Sequence, residues 1–302
     1  MILVNGCSFS TPSDVDGAWV AGFYKNGLSP FKHGLPIDSF QYNVVRNVSA
    51  GGTSNMAIRR KTFWYLNDSY NVQKPDYAII QWSTIDRWDY PVFVTEDKAK
   101  NYPFMDMFPE RINKINYMNN GTDVFGFAKD FYEKYYSLYG AVLETLENIY
   151  HTQKYLEERN IPYKMITIGN LFDMDTSVEK LKNLQKNPDK LQIGNYANLK
   201  TNNGIFEKLE ALDGSWHELN ILNALIDKID FTKFLFTDDV NIRGFGGGII
   251  EWFLNKNEML TGGRWHPDGE QHMRFFDEFL WPKIKDEINA ITKQNTNKRL
   301  LI

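Results

Sequence analysis

The sequence predicts an α/β protein with a mainly parallel sheet, on two observations. Four short, apolar, β-prone runs (Ile2 to Asn5, Tyr42 to Val48, Tyr77 to Trp82 and Tyr163 to Ile168) read as buried strands. Between and after them lie stretches with helical spacing of apolar residues, so strands and helices alternate along the chain. The 302 residues are 42% hydrophobic and 15% aromatic, ample for a large core and unlike a disordered chain.

The first strand opens at the N-terminus and ends at Gly6; the second is closed by Ser49-Ala50-Gly51-Gly52. A helix is expected from Ser54 to Leu66, capped by Ser54, with Met56, Ile58, Phe63 and Leu66 as its apolar positions. Pro75-Asp76 leads into the third strand. A long helical pattern from about Phe127 to Arg159 carries Leu138, Val142, Leu143, Leu146 and Ile149, and Asn160-Ile161-Pro162 ends it before the fourth strand. Later come a helix from about Trp216 to Ile229, an aromatic run from Phe231 to Phe236, and a final helix from about Glu270 to Ile291. Residues 90–125 and 170–262 break the rhythm and read as insertions over the sheet of a single domain spanning 1–302. There is no internal repeat or low-complexity tract.

Charge and composition exclude several classes of function. Thirty-four basic against 38 acidic residues give a net charge of −4, without the basic excess of a nucleic-acid binder. No apolar run approaches the roughly 20 residues that span a bilayer, and the N-terminus lacks the marks of a signal peptide, so synthesis in a cytoplasm is expected. Cys7 is the single cysteine, which rules out an intrachain disulfide and a cysteine-rich zinc site; it reads as a small buried hydrophobe. His33, His151 and His217 are scattered without ligand partners at useful spacing, so neither metal nor cofactor is expected.

Three segments carry the chemistry. In Asn5-Gly6-Cys7-Ser8-Phe9-Ser10, a serine stands just past the carboxyl end of a strand, at the mouth of a parallel sheet where ligands bind. In Asn47-Val48-Ser49-Ala50-Gly51-Gly52-Thr53-Ser54-Asn55, two glycines follow the second strand, and glycine lets a backbone N–H approach a ligand oxygen closely. An oxyanion hole needs such donors, each worth about 3–4 kcal/mol of barrier. In His266-Pro267-Asp268-Gly269-Glu270-Gln271-His272, an imidazole that titrates near neutrality sits in a constrained loop before the last helix. His272 reads as an ordinary helix histidine, facing the helix surface or the core.

In their order and strand–turn context these segments resemble the SGNH (GDSL-like) hydrolase family. Gly6-Cys7-Ser8-Phe9-Ser10 is similar to its first block, with Cys7 in place of the usual Asp. Asn47 through Gly52 is similar to the second, and His266-Pro267 with Gly269 and a closing amphipathic helix to the fifth. Gly-Cys-Ser-Phe, Gly-Gly-Thr-Ser-Asn and Ile-Ile-Gln-Trp-Ser also resemble a divergent branch frequent in tailed phages. The resemblance implies a three-layer α/β/α, flavodoxin-like sandwich and a serine esterase. Ser8 is then the nucleophile, His266 its base, and the Ser8 and Gly52 N–H groups oxyanion donors.

Two further family positions differ. The Asn that donates a third hydrogen bond falls on Ile85; Ser83 is the candidate in its place, with Thr84 and Arg87 nearby. The Asp three residues before the histidine is Gly263. A carboxylate elsewhere (Asp239 or Asp268), a backbone carbonyl supporting a Ser-His pair, or a degenerate site are the alternatives. Retention of both Ser8 and His266 favours activity. The substrate the resemblance implies is an O-acylated carbohydrate or other small acyl ester. Trp265 beside His266 is the candidate substrate contact, Trp88 flanks the site, and Trp82 reads as core. Tyr117-Met118-Asn119-Asn120-Gly121 suggests a hydrophilic, glycan-facing surface. The alternative is a catalytically degenerate scaffold that binds glycan or acts as a phage structural component, associated with a virion or a protein partner.

Overall fold

A computed structural model describes residues 1–11, 18–30, 44–67, 74–91, 104–107, 130–172, 216–238, 244–258, 260–261 and 266–299. Its centre is a five-stranded sheet of β1 (Ile2–Asn5), β2 (Ser29–Pro30), β3 (Val44–Asn47), β4 (Tyr77–Trp82) and β7 (Tyr163–Thr167). The strand order is β2-β3-β1-β4-β7, and every pairing is parallel. Beyond β7, Phe234 bridges Met165 in parallel, and the Leu235 N–H donates to Met165 O at 2.9 Å. A second, antiparallel pair joins β5 (Trp88–Pro91) to β6 (Phe104–Met107).

Every residue of β1 and β4 is buried, as expected of parallel strands covered on both faces. The pleat sorts their side chains into two cores. Leu3, Ala78, Ile80 and Met165 point to one face, packed against Ile58 of α2 (Asn55–Asn67), Val142 and Leu146 of α3 (Leu138–Glu158) and Leu222 of α4 (Trp216–Ile226). Ile2, Val4, Tyr77, Ile79 and Ile166 point to the other. There they meet Phe23 of α1 (Ala21–Lys25), Ile250 and Phe253 of α5 (Ile249–Leu254), Phe275 of α6 (Gly269–Phe275) and Ile284 of α7 (Trp281–Arg299). Helices therefore cover both faces of the sheet.

The helix starts follow the expected chemistry. Ser54 Oγ accepts from the Ala57 N–H at 3.1 Å and starts α2. Ser137 does the same for α3 through the Gly140 N–H at 3.2 Å. Asp268 and Gln271 form a reciprocal capping box at α6.

Strands β1 and β4 have the expected bounds, β3 and β7 each end one residue earlier than expected, Tyr42 and Asn43 lie outside the described residues, and α3 begins later than the long pattern suggests, after one π turn at Phe131–Tyr135. The last helix is broken by a π turn at Phe276–Leu280 that keeps Phe276, Phe279 and Leu280 buried between α6 and α7. Helices α1 and α5 and strands β2, β5 and β6 are additional; the two helices span one to two turns, too short for a periodic signal, and α5 (Ile-Ile-Glu-Trp-Phe-Leu) is apolar nearly all round. Residues 216–254, inside the span expected to be an insertion, supply α4, the Phe234 bridge and α5 to the two cores. Much of the rest of both expected insertions, including Tyr117–Gly121, lies outside the described residues. Among the described residues no helix is long and apolar enough to cross a membrane.

Because the main strands run parallel, their carboxyl ends share one edge, and the segments after Asn5, Asn47, Trp82 and Thr167 gather there. The chain leaves β1 for β3 on one side and reaches β4 on the other, so the loop after β1 stands where the strand order reverses.

Candidate active site

The turn that carries Ser8 follows directly from the end of β1. Asn5 is buried; its Nδ2 donates to Ile58 O at 2.7 Å and to Thr62 Oγ1 at 2.9 Å, and its Oδ1 accepts the Gly6 N–H at 2.9 Å. A Cβ on Gly6 would lie 2.7 Å from Ser10 Oγ and 2.8 Å from Gln81 Cβ, so the chain turns here only as glycine. The Ser10 and Thr11 N–H groups donate to Cys7 O at 3.0 and 3.2 Å, closing one tight turn around Ser8. Cys7 itself is fully buried, as expected.

The glycine loop docks onto this turn. The Val48 N–H donates to Val4 O at 2.8 Å and the Ala50 N–H to Gly6 O at 3.2 Å, while Thr53 Oγ1 bonds Gly6 O at 3.3 Å. Asn47 ties the two segments, donating from Nδ2 to Ser10 O at 2.6 Å and accepting the Ser49 N–H at 3.0 Å. Gly51 comes close to Ser8: a Cβ there would lie 3.9 Å from Ser8 Cβ. Gly52 adopts φ +79°, a left-handed backbone that favours glycine. The Ser8 and Gly52 N–H groups make none of the backbone hydrogen bonds among the described residues.

His266 is 258 positions from Ser8 in sequence, yet its Nε2 lies 2.6 Å from Ser8 Oγ, and both side chains are half-buried. Phe9 covers the imidazole, with ring centroids 4.7 Å apart and planes tilted by 32°. The other edge of Phe9 meets His272, centroids 6.1 Å apart and nearly perpendicular. His272 is buried, and that burial, with the neighbouring His266, pushes its pKa down to about 4, so it is neutral at pH 7.

Asp268 caps α6. Its Oδ1 accepts the Gln271 N–H at 2.8 Å and its Oδ2 the Thr261 hydroxyl, and these bonds hold its carboxyl below the usual range. Its two oxygens are thus committed to the helix start and to Thr261. Asp239, Gly263 and Trp265 lie outside the described residues.

Ser83 follows β4 at the same edge. Its N–H donates to Asn55 Oδ1 at 2.8 Å, and Asn55 Nδ2 donates to Ser83 O at 3.1 Å and to Thr145 Oγ1 at 3.2 Å. The Ser83 hydroxyl is buried without a hydrogen-bond partner among the described residues. Ile85 is packed in the core. Trp82 is core, as expected, and Trp88 packs on Phe131 with centroids 5.2 Å apart.

The structure thus brings Ser8, His266 and the glycine loop together, with Ser83 at the end of the neighbouring strand. It adds positioning groups that the sequence reading passed over: Asn5, Phe9, Asn47, Asn55 and Gln81. Each asparagine is a polar residue at a strand or helix end, and Gln81 interrupts an apolar strand; that polarity was the available signal. A buried carboxylate, Glu251, ties the loop after β7 to α5 by accepting the Asn170 and Gly248 N–H groups at 3.1 and 2.8 Å. Among the described residues no three His, Cys, Asp or Glu side chains converge in a metal-holding group. No model of a known protein family, no curated protein and no solved structure matches the chain.

Proposed function

We propose that the chain is a serine hydrolase of the SGNH type. The observation that carries this reading is the 2.6 Å contact between Ser8 Oγ and His266 Nε2 at the carboxyl edge of a parallel sheet. The strand order supports a flavodoxin-like three-layer sandwich: inside the two-residue edge strand β2, the succession β3, β1, β4, β7 and the Phe234 bridge has the doubly wound 2-1-3-4-5 pattern.

Within the class, the reading is an ester hydrolase acting on an O-acylated carbohydrate or other small acyl ester. His266, as the tautomer protonated at Nδ1, accepts the Ser8 proton at Nε2 while Ser8 Oγ bonds to the acyl carbon. The tetrahedral oxyanion takes hydrogen bonds from the Ser8 N–H, the Gly52 N–H and the Ser83 hydroxyl. The intermediate collapses, the C–O bond to the alcohol breaks, and the imidazolium returns the proton to the leaving oxygen. Water, deprotonated by His266, then attacks the acyl-enzyme, and release of the carboxylic acid restores Ser8. Phe9 holds the imidazole against the nucleophile through both steps.

The test is acyl release from p-nitrophenyl acetate and from an acetylated oligosaccharide, with covalent labelling by a fluorophosphonate. Ser8→Ala and His266→Gln are expected to lower kcat by about 10³-fold or more. Acyl release that survives Ser8→Ala, or a folded wild-type protein that neither labels nor releases acid, overturns the reading. The second outcome leaves a glycan-binding or assembly role for the same scaffold.

A further inference from the structure

Strand β4 is buried throughout, yet its fifth residue is a glutamine. Gln81 is fully buried beside the core of the α1, α5 and α7 face, where an aliphatic side chain would be the ordinary occupant. Its amide is occupied on both sides. Oε1 accepts from the Ser10 hydroxyl and from Trp19 Nε1, the latter at 3.4 Å, and Nε2 donates to Cys7 Sγ at 3.3 Å. Asn5 pairs with Ile80 in register, so Gly6 runs alongside Gln81, and the missing Cβ of Gly6 leaves room for Gln81 Cβ and the Ser10 hydroxyl oxygen.

We infer that Gln81 is a positioning residue for the nucleophile: its single amide bonds the side chains of Cys7 and Ser10, on either side of Ser8, and so sets where the Ser8 hydroxyl stands against His266. The inference rests on the reading of Ser8 as the nucleophile. From the other side of β1 the turn is held through its backbone, by the Asn47 bond to Ser10 O and by the Ala50 N–H and Thr53 hydroxyl bonds to Gly6 O. Gln81 grips the side chains from the β4 side. An amide serves here better than a carboxylate or an aliphatic chain, because the bracket needs an acceptor towards Ser10 and Trp19 and a donor towards Cys7. A hydrocarbon would fill the same volume and leave the Ser10 hydroxyl and the Trp19 N–H buried without partners.

The experiment compares wild type with Gln81→Met, Ser10→Ala and the double variant, using two measurements. In hydrogen exchange, the Ser10 and Thr11 amides, which both donate to Cys7 O, are expected to exchange at least about tenfold faster in either single variant, with those of β7 unchanged. In fluorophosphonate labelling, the maximal rate at Ser8 is expected to fall about tenfold or more while the half-saturating concentration stays within about twofold, the signature of a displaced nucleophile and not of lost binding. The double variant is expected to be no slower than Gln81→Met alone, because both changes break one bracket. A folded Gln81→Met protein with wild-type exchange at Ser10 and Thr11 and a wild-type labelling rate overturns the inference. If Gln81→Met does not fold, Ser10→Ala carries both measurements. If wild type itself is not labelled, the nucleophile reading fails, and the exchange measurement still decides whether Gln81 holds the turn.

Discussion

Asn55 clasps the Ser83 backbone at both its polar groups: Oδ1 accepts the Ser83 N–H at 2.8 Å and Nδ2 donates to the Ser83 carbonyl at 3.1 Å. One side chain at the first turn of α2 thereby fixes the segment that leaves β4. It also reaches α3 through Thr145 Oγ1 at 3.2 Å. Asn55→Ala removes all three bonds and leaves a buried N–H and a buried C=O without partners. The expected cost is about 2–4 kcal/mol, read as a lower midpoint in urea with an unchanged slope. Asn55→Asp keeps the acceptor but not the donor and is expected to fall between wild type and Asn55→Ala.

The central architecture was legible because its signals are local. Ile2–Asn5 and Tyr77–Trp82 are short apolar runs bounded by Gly6 and by Pro75-Asp76, and both are strands with those bounds. Ser8, Gly52 and His266 were legible as motifs, since turn chemistry, glycine and a loop histidine are readable over a few residues. Gln81 and Asn55 were not, because their significance lies in partners 28 to 90 positions away, Ser83, Ser10 and Thr145 among them. Helix α5 escaped because Ile-Ile-Glu-Trp-Phe-Leu has almost no polar face to set a period. The π turn at Phe276–Leu280 escaped because a helix that shifts its hydrogen bonding by one residue keeps helical composition.

His272 makes the native state sensitive to acid. Its pKa is lowered to about 4 in the fold, first by burial and then by His266, from an ordinary value of 6.5. The unfolded chain therefore binds more protons between those two values, and stability falls as pH drops from 6.5 towards 4. Replacing His272 with Phe, which carries no titrating group, is expected to flatten that part of the curve. Thermal midpoints measured at pH 4.5, 5.5 and 7.0 in both proteins check it. A wild-type midpoint that falls between pH 7.0 and 4.5 no more than that of His272→Phe contradicts the expectation.

Glu144 on α3 acts in the opposite direction. Burial, and then the negative charge of Asp89, raise its pKa to about 7 against an ordinary 4.5, although Arg59 and Arg60 partly offset the shift. Asp89 is itself ion-paired with Arg60. The native state holds the extra proton here, so this group favours folding below pH 4.5, and its contribution is lost as pH rises through about 7. Glu144→Gln keeps the shape of the protonated acid. It is expected to raise the thermal midpoint by several degrees at pH 8 and to change it little at pH 4. An equal change at both pH values would mean that packing, and not ionisation, sets the effect.

Ser83 offers a separation of stability from catalysis. Its hydroxyl is buried and forms no hydrogen bond among the described residues, while its backbone is held by Asn55. Removing a buried, unpaired hydroxyl relieves a desolvation cost that is typically about 1–3 kcal/mol. Ser83→Ala is therefore expected to leave the thermal midpoint unchanged or slightly higher. If the hydroxyl donates to the oxyanion, the same substitution is expected to lower kcat for acyl release about 10- to 100-fold, with KM nearly unchanged, because the bond strengthens only as negative charge develops. Ser83→Thr retains a donor, adds one methyl group, and is expected to recover part of the rate. A kcat equal to wild type in Ser83→Ala would move the third donor elsewhere on the carboxyl edge of the sheet and leave the Ser8–His266 contact unaffected. A fall in both kcat and the thermal midpoint would mean that the hydroxyl supports the loop and does not face the substrate.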